Sequence, residues 1–275
     1  MYHCIDCSGT GYCDKTYLIS LCLCVILNLD VQQNKFRALN DWFLTPQGQF
    51  VQEAISAKIL AVKDRLRGTT MLQLGSCGEN TWLKGLSFRR QWLLSPRFED
   101  AHASLISSVE MLPFERASVD CVIAPLTMEL CAPEKRVIYE IDRVLKPMGH
   151  IIFIGINPIS LWGLFLKCGF IEHFSSFKTT LTSSLSLKHV MLNQNYRLNS
   201  LETFCYVPPV KSTTALLKLR FLNEIGKMII LSPAGFYCLV VQKYQYATPK
   251  LAAYKKQSRI RIQEPASVFN LFHRY

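Results

Sequence analysis

The chain has 275 residues, 49% apolar and 19% charged, which is ample for a packed core and excludes wholesale disorder. Thirty-one Lys and Arg against 20 Asp and Glu give a net charge of +11, and no apolar run reaches the length of an ordinary membrane span. The charge is uneven. Residues 1–166 carry 16 basic and 16 acidic residues, whereas 167–275 carry 15 and 4, so the whole excess lies in the second part and bears on partners.

Residues 1–36 read as an appendage, consistent with an over-extended translation start. Cys4 and Cys7, with His3 and Cys13 near, form half of a metal knuckle. The other pair, Cys22 and Cys24, is one residue apart inside an apolar run, so the spacing for structural zinc is missing and no metal is expected. Tyr17–Leu29 suits a signal-peptide core, an apolar helix or an interfacial anchor, but Asp6 and Asp14 replace a positive leader and no small-residue cleavage site follows. The other six of the 11 cysteines are scattered singly in mostly apolar segments. They read as buried free thiols in a reducing cytoplasm rather than as a disulfide scaffold.

From Asn40 the pattern becomes regular. Asn40 or Asp41 is a candidate cap, and Pro46 opens a helix over 48–66 that Gly68 ends. Strands are expected at Thr70–Leu74, Gln91–Leu94, Ser104–Ser108 and Val119–Ala124. A helix follows over Pro133–Leu145, then a strand over His150–Ile156. Phe174–Leu187 is Ser/Thr-rich and reads as part of a lid, about 172–195. Leu201–Val207 reads as a strand, Ser212–Ile225 as a helix and Gly235–Lys243 as a strong final strand, with a basic tail over 245–275. Short apolar strands alternating with helices predict a doubly wound, mostly parallel α/β sheet, whose ligands bind at the carboxyl ends of strands.

Two segments at such ends stand out. In Leu72-Gln-Leu-Gly-Ser-Cys-Gly-Glu-Asn80, Gly75 permits a tight turn and close approach of a ligand, and backbone N–H groups at the start of a following helix are suited to a polar group. The pattern is not G-x-G-x-x-G, which argues against a nicotinamide-dependent oxidoreductase. The second segment runs Ser108-Val-Glu-Met-Leu-Pro-Phe114, then Ser118-Val-Asp-Cys-Val122. It is followed by Arg143-Val-Leu-Lys-Pro-Met-Gly149 and Ile156-Asn-Pro-Ile-Ser-Leu-Trp-Gly-Leu164.

Together these segments resemble class I S-adenosylmethionine-dependent methyltransferases of a small bacterial type, over about residues 40–244. The family carries D-A-E-x-L-P-F before its central strand and R-V-L-K-P-G-G before the next, and one subgroup carries F-N-P-x-S-L-W-G-L. The resemblance implies a Rossmann-like domain over 37–244 with an antiparallel final strand, and S-adenosylmethionine as cofactor. It implies that Gln73, Gly75, Ser76 and Gly78 hold the methionine and ribose portion, Ser95 the ribose, and Val109 and Glu110 the adenine. Pro125 and Leu126 would line the site near the methyl donor, and Glu129 and Asn157 would face the acceptor.

Three departures stand against it. The family's first acid is Gln73, no carboxylate follows the second strand until Glu99, and the adenine-contacting Asp is Ser108. The leading expectation is a cytoplasmic methyltransferase acting on a small molecule mainly by positioning, with no metal. Its rivals are a non-catalytic binding module of the same fold, and an RNA-binding or RNA-modifying protein using the basic C-terminal half, where Tyr244, Tyr246 and Tyr254 interleave with cations.

Overall fold

A computed structural model describes residues 30–97, 100–131, 134–171, 180–226 and 233–244. The half-knuckle and apolar run before residue 30, part of the lid, and the basic tail lie outside these residues.

Helix α1 covers 30–43, and so begins inside the segment that the sequence sets aside as an appendage. Gln32, Phe36, Leu39, Trp42 and Phe43 are buried, so this stretch is part of the core. Asn40 and Asp41, expected to cap a short turn, lie inside α1, and Thr45 caps the next helix: its Oγ1 accepts from the Gly48 N–H at 3.1 Å, with Pro46 in the first turn. That helix, α2 (Pro46–Ala61), crosses α1 so closely that a Cβ on Gly48 would lie 2.0 Å from the Trp42 carbonyl oxygen.

The strands are β1 (Thr70–Leu74), β2 (Arg90–Ser95), β3 (Leu105–Ile106), β4 (Val119–Pro125), β5 (Leu145–Ile156), β6 (Tyr196–Phe204) and β7 (Phe236–Lys243). They form one sheet in the order β3-β2-β1-β4-β5-β7-β6. Pairing is parallel from β3 through β5 and antiparallel on both sides of β7. The expected doubly wound sheet with its antiparallel final strand is therefore present. β1 and β4 are buried on both faces, which is why they read as continuous apolar runs rather than as alternating ones.

Helices α3 (Thr127–Leu130), α4 (Glu134–Val144) and α5 (Leu161–Lys167) follow the central strands. α6 (Ser184–Asn193) turns the end of the expected lid into a packed helix with Leu187 and Met191 buried. The expected single helix over 212–225 is broken into α7 (Thr213–Lys218), a 3-10 turn and α8 (Leu222–Gly226). Strand β6 begins five residues before Leu201, because the register shift between Leu198 and Ser200 interrupts its alternation. Of the free cysteines described, Cys77, Cys121, Cys131, Cys205 and Cys238 are buried and Cys168 is exposed. No helix among the described residues is long and apolar enough to cross a membrane.

The Arg of the R-V-L-K-P motif has a physical explanation. Arg143 donates to the Leu112 and Phe114 carbonyls, both at 2.8 Å, and to Glu140, whose Oε2 accepts from the Leu112 N–H at 3.0 Å. This pair pins the Leu-Pro-Phe turn to α4. Burial on its own would raise the Glu140 carboxyl, but the Arg143 and Leu112 hydrogen bonds and the Arg143 charge outweigh it and hold it low. Asp120 is held low in the same way: burial opposes, and Lys146 with the Thr69 and Thr70 N–H groups prevails.

A carboxyl depressed by folding contributes stability that is present above its unfolded pKa and is lost as pH falls through the folded one. Melting temperature is therefore expected to fall as pH drops below about 4. Arg143→Ala should both lower it at neutral pH and flatten that acid limb. An acid limb as steep in the variant as in the parent would contradict this.

Candidate cofactor and acceptor site

The strand order reverses between β1 and β4, so the crevice of this sheet lies between the loops that follow them. After β1, Gly75 takes φ +88° and its N–H donates to the Leu94 carbonyl at 2.7 Å. A Cβ there would lie 2.5 Å from the Phe36 ring, so glycine is required both for its φ and because α1 sits against the loop. The helix expected behind the loop is replaced by a 3-10 turn, Thr81–Gly85, which leaves no long helix N-terminus there. Nor are the loop N–H groups open. Cys77 donates to Asn80 Oδ1 at 3.0 Å and Gly78 to Asn40 Oδ1 at 3.1 Å, the latter reaching over from α1.

Gln73, expected to face the cofactor, is fully buried. Its Nε2 donates to the Gly75 carbonyl at 2.9 Å and to Asn80 Oδ1 at 2.6 Å, and its Oε1 accepts from Trp82 Nε1 at 2.8 Å. All three groups are committed inside the protein. The side chain is the internal tie of the loop, and amide chemistry rather than an acid is what that tie needs. Ser76 is also buried, with its Oγ accepting from Asn80 at 3.4 Å.

At the end of β2, Ser95 is buried and its Oγ accepts from the Arg97 N–H at 3.3 Å. Asp100 is the first described carboxylate after β2. Its Oδ1 accepts from the His102 N–H at 3.1 Å, while its Oδ2 is buried without a hydrogen-bond partner among the described residues. It lies near the glycine loop: burial first, and then the Asp100 charge, push the Cys77 thiol well above its ordinary range. Arg97 Nε is likewise buried and unpartnered among the described residues. An unmet buried polar atom costs about 1–3 kcal/mol, so such atoms beside a crevice point to a ligand or ordered water.

After β3, Val109 is buried and the neighbouring polar groups are organised by α1. Ser108 Oγ donates to Gln32 Oε1 at 2.9 Å, and Gln32 Nε2 donates to Glu110 Oε1 at 3.1 Å. After β4, Leu126 takes φ +51°, and Thr127 Oγ1 donates to the Leu74 carbonyl at 3.2 Å, joining the two lips of the crevice. Pro125 and Leu126 line this junction and are buried.

The two candidates for the acceptor side have structural duties. Glu129, 2% exposed, accepts from the Ile156 N–H at 2.9 Å and so ties α3 to the end of β5. Gly155 leaves the room for it: a Cβ there would lie 2.6 Å from Glu129 Oε1 and 2.2 Å from the Tyr237 hydroxyl. Asn157 donates to the Ala234 carbonyl at 3.2 Å and accepts from the Ile159 N–H at 3.3 Å, shaping the turn that Ser160 caps into α5.

The structure thus places Gln73, Gly75, Ser76 and Gly78 at the carboxyl end of β1 and Pro125 and Leu126 at that of the adjacent β4, with Ser95 at the end of β2. Sequence reasoning missed Asp100 and the α1 residues Gln32, Phe36 and Asn40. Asp100 was detectable as the next acid after Glu99. The α1 contacts had no local signal.

Residues 88–153 match the family model of a methyltransferase domain. That stretch runs from before β2 into β5 and includes Asp100, Val109 and Pro125. Over 123 residues the chain is 25% identical to the uncharacterised protein YafS of Escherichia coli; the match spans 45% of this chain and about half the length of that relative. The fold is that of class I methyltransferases. A SAM-dependent methyltransferase of Thermotoga maritima superposes with a TM-score of 0.55 at 15% identity, over 78% of this chain and 99% of that one. One from Archaeoglobus fulgidus superposes with a TM-score of 0.50 at 16% identity, over 70% and 94%.

Proposed function

On the premise that this chain has the class I methyltransferase fold, we propose that it binds S-adenosylmethionine and transfers its methyl group to a small acceptor. The observation that carries the proposal is Asp100, half-buried after the second strand: its Oδ2 is buried with no hydrogen-bond partner among the described residues, and its charge reaches Cys77 of the glycine loop. A carboxylate at the end of the second strand is suited to both hydroxyls of a ribose. Val109 and Glu110 provide the adenine edge, and Ser108 is held in place by Gln32. The loop at Gly75–Gly78 receives the methionine end, where Asn40 and Phe36 are in contact with it.

The cofactor supplies an electrophilic methyl group. What the chain contributes is position, exclusion of water by the α1 cover, and the packed floor formed by Leu126 and Thr127. Methyl transfer to an already nucleophilic atom needs no strong base, so the structural duties of Glu129 and Asn157 do not oppose it.

Isothermal titration with S-adenosylhomocysteine tests this reading. One saturable site is expected. Asp100→Ala should weaken binding by about tenfold, the order of one charge-assisted hydrogen bond. The fold would then be a non-catalytic scaffold if folded protein gave no heat at millimolar ligand.

A further inference from the structure

The opposite edge of the sheet carries a second feature, independent of the methyl-transfer reading. At the amino ends of the strands lies a groove of about 600 Å³. Its walls come from far apart in sequence: Arg65 and Arg67 before β1, Met148 and His150 at the start of β5, Asn199 on β6 and Gln242 on β7.

The groove is electropositive. Its one carboxylate, Asp120, is neutralised by Lys146 at 2.9 Å and further bound by the Thr69 and Thr70 N–H groups. The Arg65 and Arg67 guanidiniums are exposed and carry neither an ion pair nor a hydrogen bond among the described residues. Gln242 Nε2 donates to the Met148 carbonyl at 3.0 Å, which keeps the turn in place.

Two details mark the groove as more than a basic surface. His150 is only 6% exposed, and its Nδ1 is buried with no hydrogen-bond partner among the described residues. Burial lowers its pKa, so the ring is neutral near pH 7 and carries one N–H donor. Met148 takes φ +64°, the left-handed region that side chains disfavour, and it is 53% exposed. The Lys-Pro-Met-Gly turn therefore presents an apolar side chain to the groove at a cost in strain. Strain of this kind tends to persist where function uses it.

We propose that this groove binds a phosphate ester. Arg65 and Arg67 grip the oxyanion, and the Met148 side chain packs on the apolar body of the ligand. Two planar forks present more donors than a single carboxylate can use, whereas a phosphate offers three oxygens. The volume leaves room for a ribose-sized group beside it. This chemistry belongs equally to a free sugar phosphate and to a nucleic-acid backbone.

The test uses the full chain labelled at its methionine methyl groups, with Met148 assigned by its loss in Met148→Leu. Titration with inorganic pyrophosphate and then ribose 5-phosphate should shift the Met148 methyl resonance saturably, while other methionine resonances stay fixed. In Arg65→Gln/Arg67→Gln the apparent Kd should rise at least about tenfold. A short single-stranded RNA that binds more tightly, with affinity falling steeply with salt, would identify a backbone as the source of the phosphate. Tighter binding of ribose 5-phosphate would identify a small ester. No saturable shift at Met148 with any of the three, or a shift undiminished in the double variant, overturns the proposal. S-adenosylhomocysteine should leave the Met148 resonance in place, which separates this groove from the carboxyl-edge crevice.

Discussion

Gln73→Asp is expected to destabilise the glycine loop rather than to create a cofactor contact. On sequence alone the substitution looks like a repair, because related methyltransferases carry an acid at this position. In the structure, the Gln73 amide nitrogen serves two acceptors, the Gly75 carbonyl and Asn80 Oδ1, and its oxygen serves Trp82 Nε1. An aspartate removes both donors and leaves two buried acceptors facing a buried negative charge. It is also one methylene too short to keep the Trp82 bond. Unmet buried polar atoms and an uncompensated charge together cost about 3 kcal/mol or more. For a chain of this size that corresponds to a fall in melting temperature of about 6–12 °C. S-adenosylhomocysteine binding should weaken in step, since the loop is part of the proposed site. A variant that melts within about 2 °C of the parent and binds more tightly would show that Gln73 is free to act on the cofactor.

Gly155→Ala should be the most damaging single-methyl change in the sheet. Gly155 lies opposite Tyr237 in the β5–β7 pairing. An added Cβ would lie 2.2 Å from the Tyr237 hydroxyl oxygen, 2.3 Å from its ring carbon and 2.6 Å from Glu129 Oε1. None of these groups is the loose end of a flexible chain. Tyr237 donates to the Thr182 carbonyl at 3.1 Å, and Glu129 accepts from Ile156. Overpacking at so constrained a place costs about 3 kcal/mol, and denaturant melts should show a lower midpoint at unchanged slope. Gly169→Ala is the control: nothing lies within 4 Å of a Cβ there, so only the backbone strain of its φ of +74° remains, about 1 kcal/mol. Gly155 carries no positive φ, so equal losses in the two variants would contradict overpacking against Tyr237 and Glu129 as the cause.

Much of the fold was legible in the sequence, because two-face burial writes itself as largely apolar runs without alternation. Thr70–Leu74, Val119–Pro125 and Phe236–Lys243 emerge within one or two residues of their expected bounds. Errors occur where local pattern and tertiary packing part company. Helix α1 does space Phe36, Leu39 and Phe43 at helical period, but it is held by Phe36 against Gly75 and Trp42 against Trp162, contacts that no local window contains. β5 extends back to Leu145 through a register irregularity opposite Val119 that hides it from periodicity.

In the candidate site the backbone was more legible than the side chains. Gly75, Gly78 and Pro125 stand where strand ends put them. The hydrogen bonds of Gln73 and of Glu129 to Ile156 were not legible, because a sequence does not reveal which partners a buried polar group meets. Asp100 is the converse case, an acid whose significance appears only once folding brings it near Cys77. Charge behaves similarly. Residues 1–166 are neutral in sum, yet folding places the neighbouring Arg65 and Arg67 in one groove with Met148, Asn199 and Gln242, where Asp120 is paired with Lys146.

The proposed cofactor site lies at the carboxyl edge between the first and fourth strands. Amide hydrogen exchange of the full chain, with and without saturating S-adenosylhomocysteine, tests this most directly. Slowed exchange is expected at Gly75–Asn80, Ser108–Glu110 and Leu126–Thr127 together, with Asp100→Ala reducing the effect at all three. Unchanged exchange at these segments at millimolar ligand, or protection confined to other parts of the chain, would contradict it.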